Sequence, residues 1–257
     1  MACHHQRSAS LPSFPSYSIE SSLEQELQTL KSHTISSPSA TTIDAACDGL
    51  RRLGDVYTSV EEMTRLPSTQ AGLCSAKKRK AVEKELDMSL ELIDLCSAMQ
   101  ESLAEMKTCV QEARLVLKRG DDAAAQVKVE SFVRVARKAQ KPLMKKTTAS
   151  CSNNAAAGGG GGEGCRVVRV MAEARETAVS MLESTSRMLP KQIGGGAGAS
   201  KWSLVSRRFQ RRKSVVVCEE QQLQALERGV GDLEEGVEFL FRRLIQSRVS
   251  LLNVLSS

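Results

Sequence analysis

Histidine is the side chain best suited to moving protons near neutral pH, and this chain holds three, His4, His5 and His33, all within a Ser-rich N-terminal stretch. A core site has no imidazole to draw on, so the commonest acid–base chemistries have no candidate. Cys3 beside His4 and His5 places metal-ligand side chains together, but a structural zinc site takes four ligands at set spacing and no second cluster exists to complete one. Cys3 could accept an acyl chain, although a single lipid gives only marginal attachment to a membrane. The eight cysteines are scattered, with no CxxC pair, and are expected to be reduced thiols of an intracellular protein.

Two glycine-rich stretches, Gly158 to Gly164 and Gly194 to Gly198, invite comparison with phosphate-cradling loops. The first lacks the following Lys and Ser or Thr, and in the second Ala199 and Ser200 precede Lys201 where a Gly-Lys-Ser/Thr run is required. Both read as linkers. Carboxylates crowd the last helical segment at Glu219, Glu220, Glu227, Asp232, Glu234, Glu235 and Glu238. A di-iron bundle needs Glu-x-x-His pairs, and no histidine follows position 33, so these groups are expected to form a charged face complementary to basic helices. No cofactor, metal or small-molecule substrate is expected, and the chain reads as a non-enzyme.

Positive charge gathers at Lys77, Lys78, Arg79 and Lys80, then at Arg134, Arg137, Lys138, Lys141, Lys145 and Lys146, then at Arg207, Arg208, Arg211, Arg212 and Lys213. No acidic residue interrupts the stretch from Ser131 to Gly162. Such clusters suit nuclear import, phosphate neutralisation or anionic lipid, and equally a solvated helix face. Trp202, Leu204, Val205 and Phe209 interleave with the third cluster, which makes Trp202, Phe209, Arg207, Arg208, Arg211 and Arg212 the candidate interaction site. A protein partner is expected, with peripheral binding to an anionic membrane surface or to nucleic acid as the alternative.

The elements that must carry these groups are helical. Of 257 residues 41% are apolar but only 3% aromatic, which disfavours an all-β fold because pleated faces depend on aromatic and β-branched side chains. Nothing reaches the roughly 18 uninterrupted apolar residues of a membrane span, and the opening residues lack a signal peptide's apolar core. A cytoplasmic or nuclear location is expected. Residues 1–41 are predicted to be mostly disordered, with one short amphipathic helix from Ile19 to Lys31 built on Leu23, Leu27 and Leu30.

Residues 42–257 are predicted to form one antiparallel bundle with linkers near 145–164 and 191–200. A first helix runs from Thr42 or Asp44 to Leu66 and is closed by Pro67. A longer one from about Ser68 to Arg119 has a coiled-coil-like seam through Leu86, Leu90, Ile93, Ser97, Gln100, Leu103, Met106 and Val110. A third starts on an Asp121 cap, turns Val127, Phe132, Val135, Ala136 and Ala139 inward, and ends or kinks at Pro142. The fourth spans Cys165 to Leu189, with Pro190 and the glycines after it as the stop. In the last, Cys218 to Leu255, Leu223, Leu226, Val230, Leu233, Val237, Leu240 and Leu244 step by three and four. Further apolar groups on its other faces predict that it runs buried through the middle of the bundle, surrounded by the others.

Several stretches resemble a plant-specific family of unknown function, domain-of-unknown-function family 241, grouped with the BYPASS-related proteins. They are Arg7 to Pro12 with the short Leu and Glu helix after it, LGDVYTSVEEMTRLPSTQ (Leu53 to Gln70), Leu90 to Met106, KWSLVSR (Lys201 to Arg207) and LFRRLIQSRVSLLNVL (Leu240 to Leu255). The resemblance covers nearly the whole chain and implies a predominantly helical plant protein associated with root and shoot development. It implies no enzymatic activity, cofactor or ligand site, and transfers no functional residue.

Overall fold

The computed structural model describes residues 16–36, 42–150, 163–193 and 220–256. Among them are seven helices and no strand: α1 (Ser16–Ser36), α2 (Ile43–Thr64), α3 (Pro67–Leu73), α4 (Ala76–Lys118), α5 (Asp122–Ser150), α6 (Glu163–Ile193) and α7 (Glu220–Ser256). The all-α bundle anticipated from apolar spacing is what forms. Its ends are set by local chemistry. Thr42 accepts the Ala45 N–H at 3.2 Å to start α2, and the Asp121 carboxylate accepts the Ala124 N–H at 2.9 Å to start α5. Between α4 and α5, Gly120 adopts φ +77°, while Gly120 N–H reaches Leu117 O and Asp121 N–H reaches Val116 O. Glycine carries no penalty in that left-handed conformation, and the two bonds satisfy carbonyls the helix end would leave open.

Five long helices pack in the cyclic order α2, α7, α4, α5, α6, with α4 also touching α6 across the ring. A ring with an odd number of helices cannot alternate direction all the way round. The like-directed neighbours are α2 and α7: Ile43 lies at Gly229, Leu50 at Gly236, Gly54 at Phe239 and Glu61 at Ser250. Where α7 meets α4 the numbering runs in opposite senses, with Glu220 at Lys118, Glu227 at Arg114, Glu234 at Lys107 and Arg248 at Ser89. The glycines that weaken α7 as an isolated helix now have a use. A side chain at Gly229 would strike Ile43, and one at Gly54 would enter the Phe239 ring, so the parallel pair is close because these positions are bare.

The inward stripe of α7 from Leu223 to Leu244 is buried as its spacing predicts. Burial is one-sided, however: α7 lies on α2 and α4, and Ile245, Val249 and Leu252 are 39%, 50% and 42% exposed. The enclosed helix is α6, which meets α1, α2, α3, α4 and α5 and fully exposes only Arg169, Arg187 and Lys191 from Arg166 onward. Composition favoured α7 because of its larger apolar side chains. Small residues decide the matter, since Ala174, Ala178, Thr177, Thr185 and Ser186 let neighbours approach α6 from several sides. On the outside, α1 buries Leu23, Leu27 and Leu30 against the same core.

Other expectations change in detail. Pro67 does not simply end a helix; after the Arg65–Leu66 turn it occupies the first position of α3, where its missing N–H costs nothing. The single pattern drawn from Ser68 to Arg119 is broken at Cys74–Ser75 into α3 and α4. Leu90 and Val127 point outward, 44% and 58% exposed, because the inner faces follow Ser89, Cys96 and Leu103 on α4 and Ala125, Val129 and Phe132 on α5. Pro142 and Pro190 both lie inside helices, so α5 extends to Ser150 and α6 to Ile193; the rest of the two stretches expected to be linkers lies outside the described residues. Pro190 cannot donate to Ser186 O four residues back; Gln140 Nε2 of α5 does so instead at 3.0 Å.

Candidate functional site

Trp202, Phe209, Arg207, Arg208, Arg211 and Arg212 lie outside the described residues. The polar and charged groups that are described gather in three places.

The first is inside the bundle. Glu85 of α4, 6% exposed, accepts from Arg175 Nε of α6 at 2.9 Å. Burial raises the Glu85 carboxyl above its ordinary range, and the Arg175 charge and hydrogen bond pull part of the way back. One turn further along α4, Ser89 accepts from Arg248 of α7 at 3.0 Å, and the same guanidinium donates to Leu86 O. Tyr57 of α2 is buried beside them; burial, then the Glu85 charge, raises its phenol well above the usual value. Four helices thus converge on polar groups in an otherwise apolar interior. Pattern reading missed them by taking α4 in the phase of Leu90, Ser97 and Gln100. The sequence signal was there: the sevenfold series Val82, Ser89, Cys96, Leu103, Val110 puts a serine on the inward line, with Glu85 one turn before it.

The second is the rim between α4 and α7, where Glu220, Glu227 and Glu234, three of the carboxylates expected to form a complementary charged face, meet basic groups of α4. Lys107 Nζ meets Glu234 at 2.9 Å, Lys118 Nζ meets Glu220 at 2.9 Å, and Arg114 meets Glu227, which Gln111 also contacts at 2.9 Å. Burial raises the Glu227 carboxyl, but the hydrogen bonds from Gln111 and Arg114 outweigh it and leave the group below its ordinary range. Each half-exposed pair contributes about 0–1 kcal/mol, so the rim sets register more than stability.

The third is the outer surface of α5. Arg134, Arg137, Lys138 and Lys141 are exposed on one arc, and the Gln140–Ser186 bond brings Arg187 of α6 alongside them. The other described basic cluster does not join them. Lys128 meets Glu112 at 2.8 Å, a register that sets Lys78 to Lys80 roughly 30–40 Å away along the bundle at 1.5 Å per residue.

Among the described residues no group of three or more His, Cys, Asp or Glu is placed to hold a metal. Burial pushes the Cys96 thiol up to about 12, and burial with the Asp232 charge pushes Cys47 up to about 11, which leaves little thiolate to act as a nucleophile. No described helix is long and apolar enough to cross a membrane. The family model described as Protein BPS1 matches residues 49–254. No curated protein and no solved structure matches the chain.

Proposed function

This chain belongs to the BPS1 protein family, the BYPASS-related plant family, and from that premise we propose that it is a non-enzymatic interaction protein acting in root and shoot development. One observation carries the reading. Groups capable of chemistry are engaged in holding helices together, as in Glu85–Arg175 and Arg248–Ser89, while α7 keeps an apolar line in the open. Ile245, Val249 and Leu252 recur at i, i+4 and i+7 on that line, and Leu90 is exposed beside Ser89, the residue Arg248 holds. Arg242 flanks the line, its exposed guanidinium paired with Glu238 one turn before it. The partner that fits is a protein helix with an apolar stripe.

A photoreactive amino acid at Val249 in the full chain, expressed in root tissue, tests this. The expected result is a discrete crosslinked protein that is lost when Ile245 and Leu252 are changed to Glu. Crosslinks that persist in that variant, or none above those from the same probe at exposed Glu91, would overturn it.

A further inference from the structure

We propose that the outer face of α5, extended by α6, seats on an anionic lipid surface; this does not depend on the α7 reading. Taking Arg134 as the reference and 100° per residue, Val127, Arg134, Lys138, Lys141, Arg137 and Met144 fall within about 120° of one another, opposite the buried Phe132, Ala136 and Leu143. Arg137, Lys138 and Lys141 form no ion pair among the described residues, and Arg134 donates only to Ser131 Oγ, at 2.7 Å. Arg187, one residue past the Ser186 carbonyl held by Gln140, continues the charge onto α6, and Lys191 follows a turn later. Carboxylates nearby are few. Glu130 lies on the arc itself, one turn before Arg134, and accepts from Gln126, while Glu183, largely buried, accepts from Arg187.

The surface has the composition of an interfacial contact. Four basic side chains lie between two exposed apolar ones, Val127 at 58% and Met144 at 50%, which can enter the headgroup boundary while the cations meet anionic headgroups. Nucleic acid is a poorer match, because no exposed aromatic on this face offers a base something to stack on: Phe132 is its only aromatic helix residue and is fully buried. Unpaired cations on a stable helix face are also what a surface of fixed negative charge attracts at long range.

Sedimentation of the full chain with phosphatidylcholine vesicles, with and without about 30% phosphatidylserine, tests the assignment; each basic residue near an anionic surface is worth roughly fivefold in binding. The expected result is binding only with phosphatidylserine, weakening with added salt. Changing Arg134, Arg137, Lys138 and Lys141 to Gln, all exposed and therefore compatible with an unchanged melting curve, should lower it at least tenfold, and Met144→Asp should lower it several-fold. Neutralising Lys78, Arg79 and Lys80 should have little effect. The proposal is overturned if phosphatidylserine vesicles do not bind, if Arg207, Arg208, Arg211 and Arg212 changed to Gln abolish binding while the α5 variant retains it, or if duplex DNA binds more tightly than the vesicles at equal salt.

Discussion

Removing Arg175 while leaving Glu85 in place isolates the energetics of the buried pair. The two side chains are 12% and 8% exposed and meet at 2.9 Å, so the carboxylate has almost no water to fall back on. A buried charge stripped of its partner costs about 3–5 kcal/mol, whereas replacing both members with apolar or neutral groups of similar volume is often neutral. Arg175→Met should therefore destabilise by about 3 kcal/mol or more, and Glu85→Gln added to it should recover much of that loss. Glu85 already has a raised carboxyl from burial, and losing Arg175 raises it further. A raised carboxyl contributes fully below its unfolded value and loses that contribution as pH rises through the folded value. The Arg175→Met deficit should consequently be small near pH 4 and grow toward pH 8. Urea denaturation of the four combinations, at both pH values and with a common m-value, measures it. A double variant no more stable than Arg175→Met, or a deficit independent of pH, would refute the reasoning.

Three further outcomes are expected. Gly54→Ala places a methyl group against the Phe239 ring and should cost about 1–3 kcal/mol despite better helix propensity, whereas Gly231→Ala, whose nearest neighbour is the Lys107 amine at 3.8 Å, should gain up to about 1 kcal/mol; thermal melting distinguishes them. Gln140→Ala strands the Ser186 carbonyl and should cost about 1–2 kcal/mol in the native background but much less alongside Pro190→Ala, which restores an N–H to that carbonyl; a double-variant cycle by denaturation reads the coupling. Iodoacetamide should modify exposed Cys74 well before Cys96, whose thiol is buried and held near 12, with mass spectrometry of digested samples giving the order.

Helical class, the inward stripe of α7 and the Asp121 cap followed from sequence because each depends on residues within a few turns of one another. Apolar groups at three- and four-residue spacing bury together whatever they bury against. The acidic line of α7 was legible as a charged face for the same reason, and its counterpart is Lys107, Arg114 and Lys118 of α4. Pro190 was misread as a stop, because a helix tolerates proline once another element supplies the lost hydrogen bond. Gln140 does so for Ser186 from 46 residues away.

Tertiary structure alone decided which helix is enclosed and which face of α4 turns inward. Enclosure by several neighbours favours the small side chains of α6 over the larger ones of α7, a property of the assembled packing and not of any one helix. Glu85 and Ser89 can occupy buried positions only because Arg175 and Arg248 arrive from α6 and α7 to satisfy them, and pattern within α4 cannot announce partners 90 and 159 residues away. Sequence set the local periods. The three-dimensional arrangement decided the phase, since the cost of burying a charge depends on what stands opposite it.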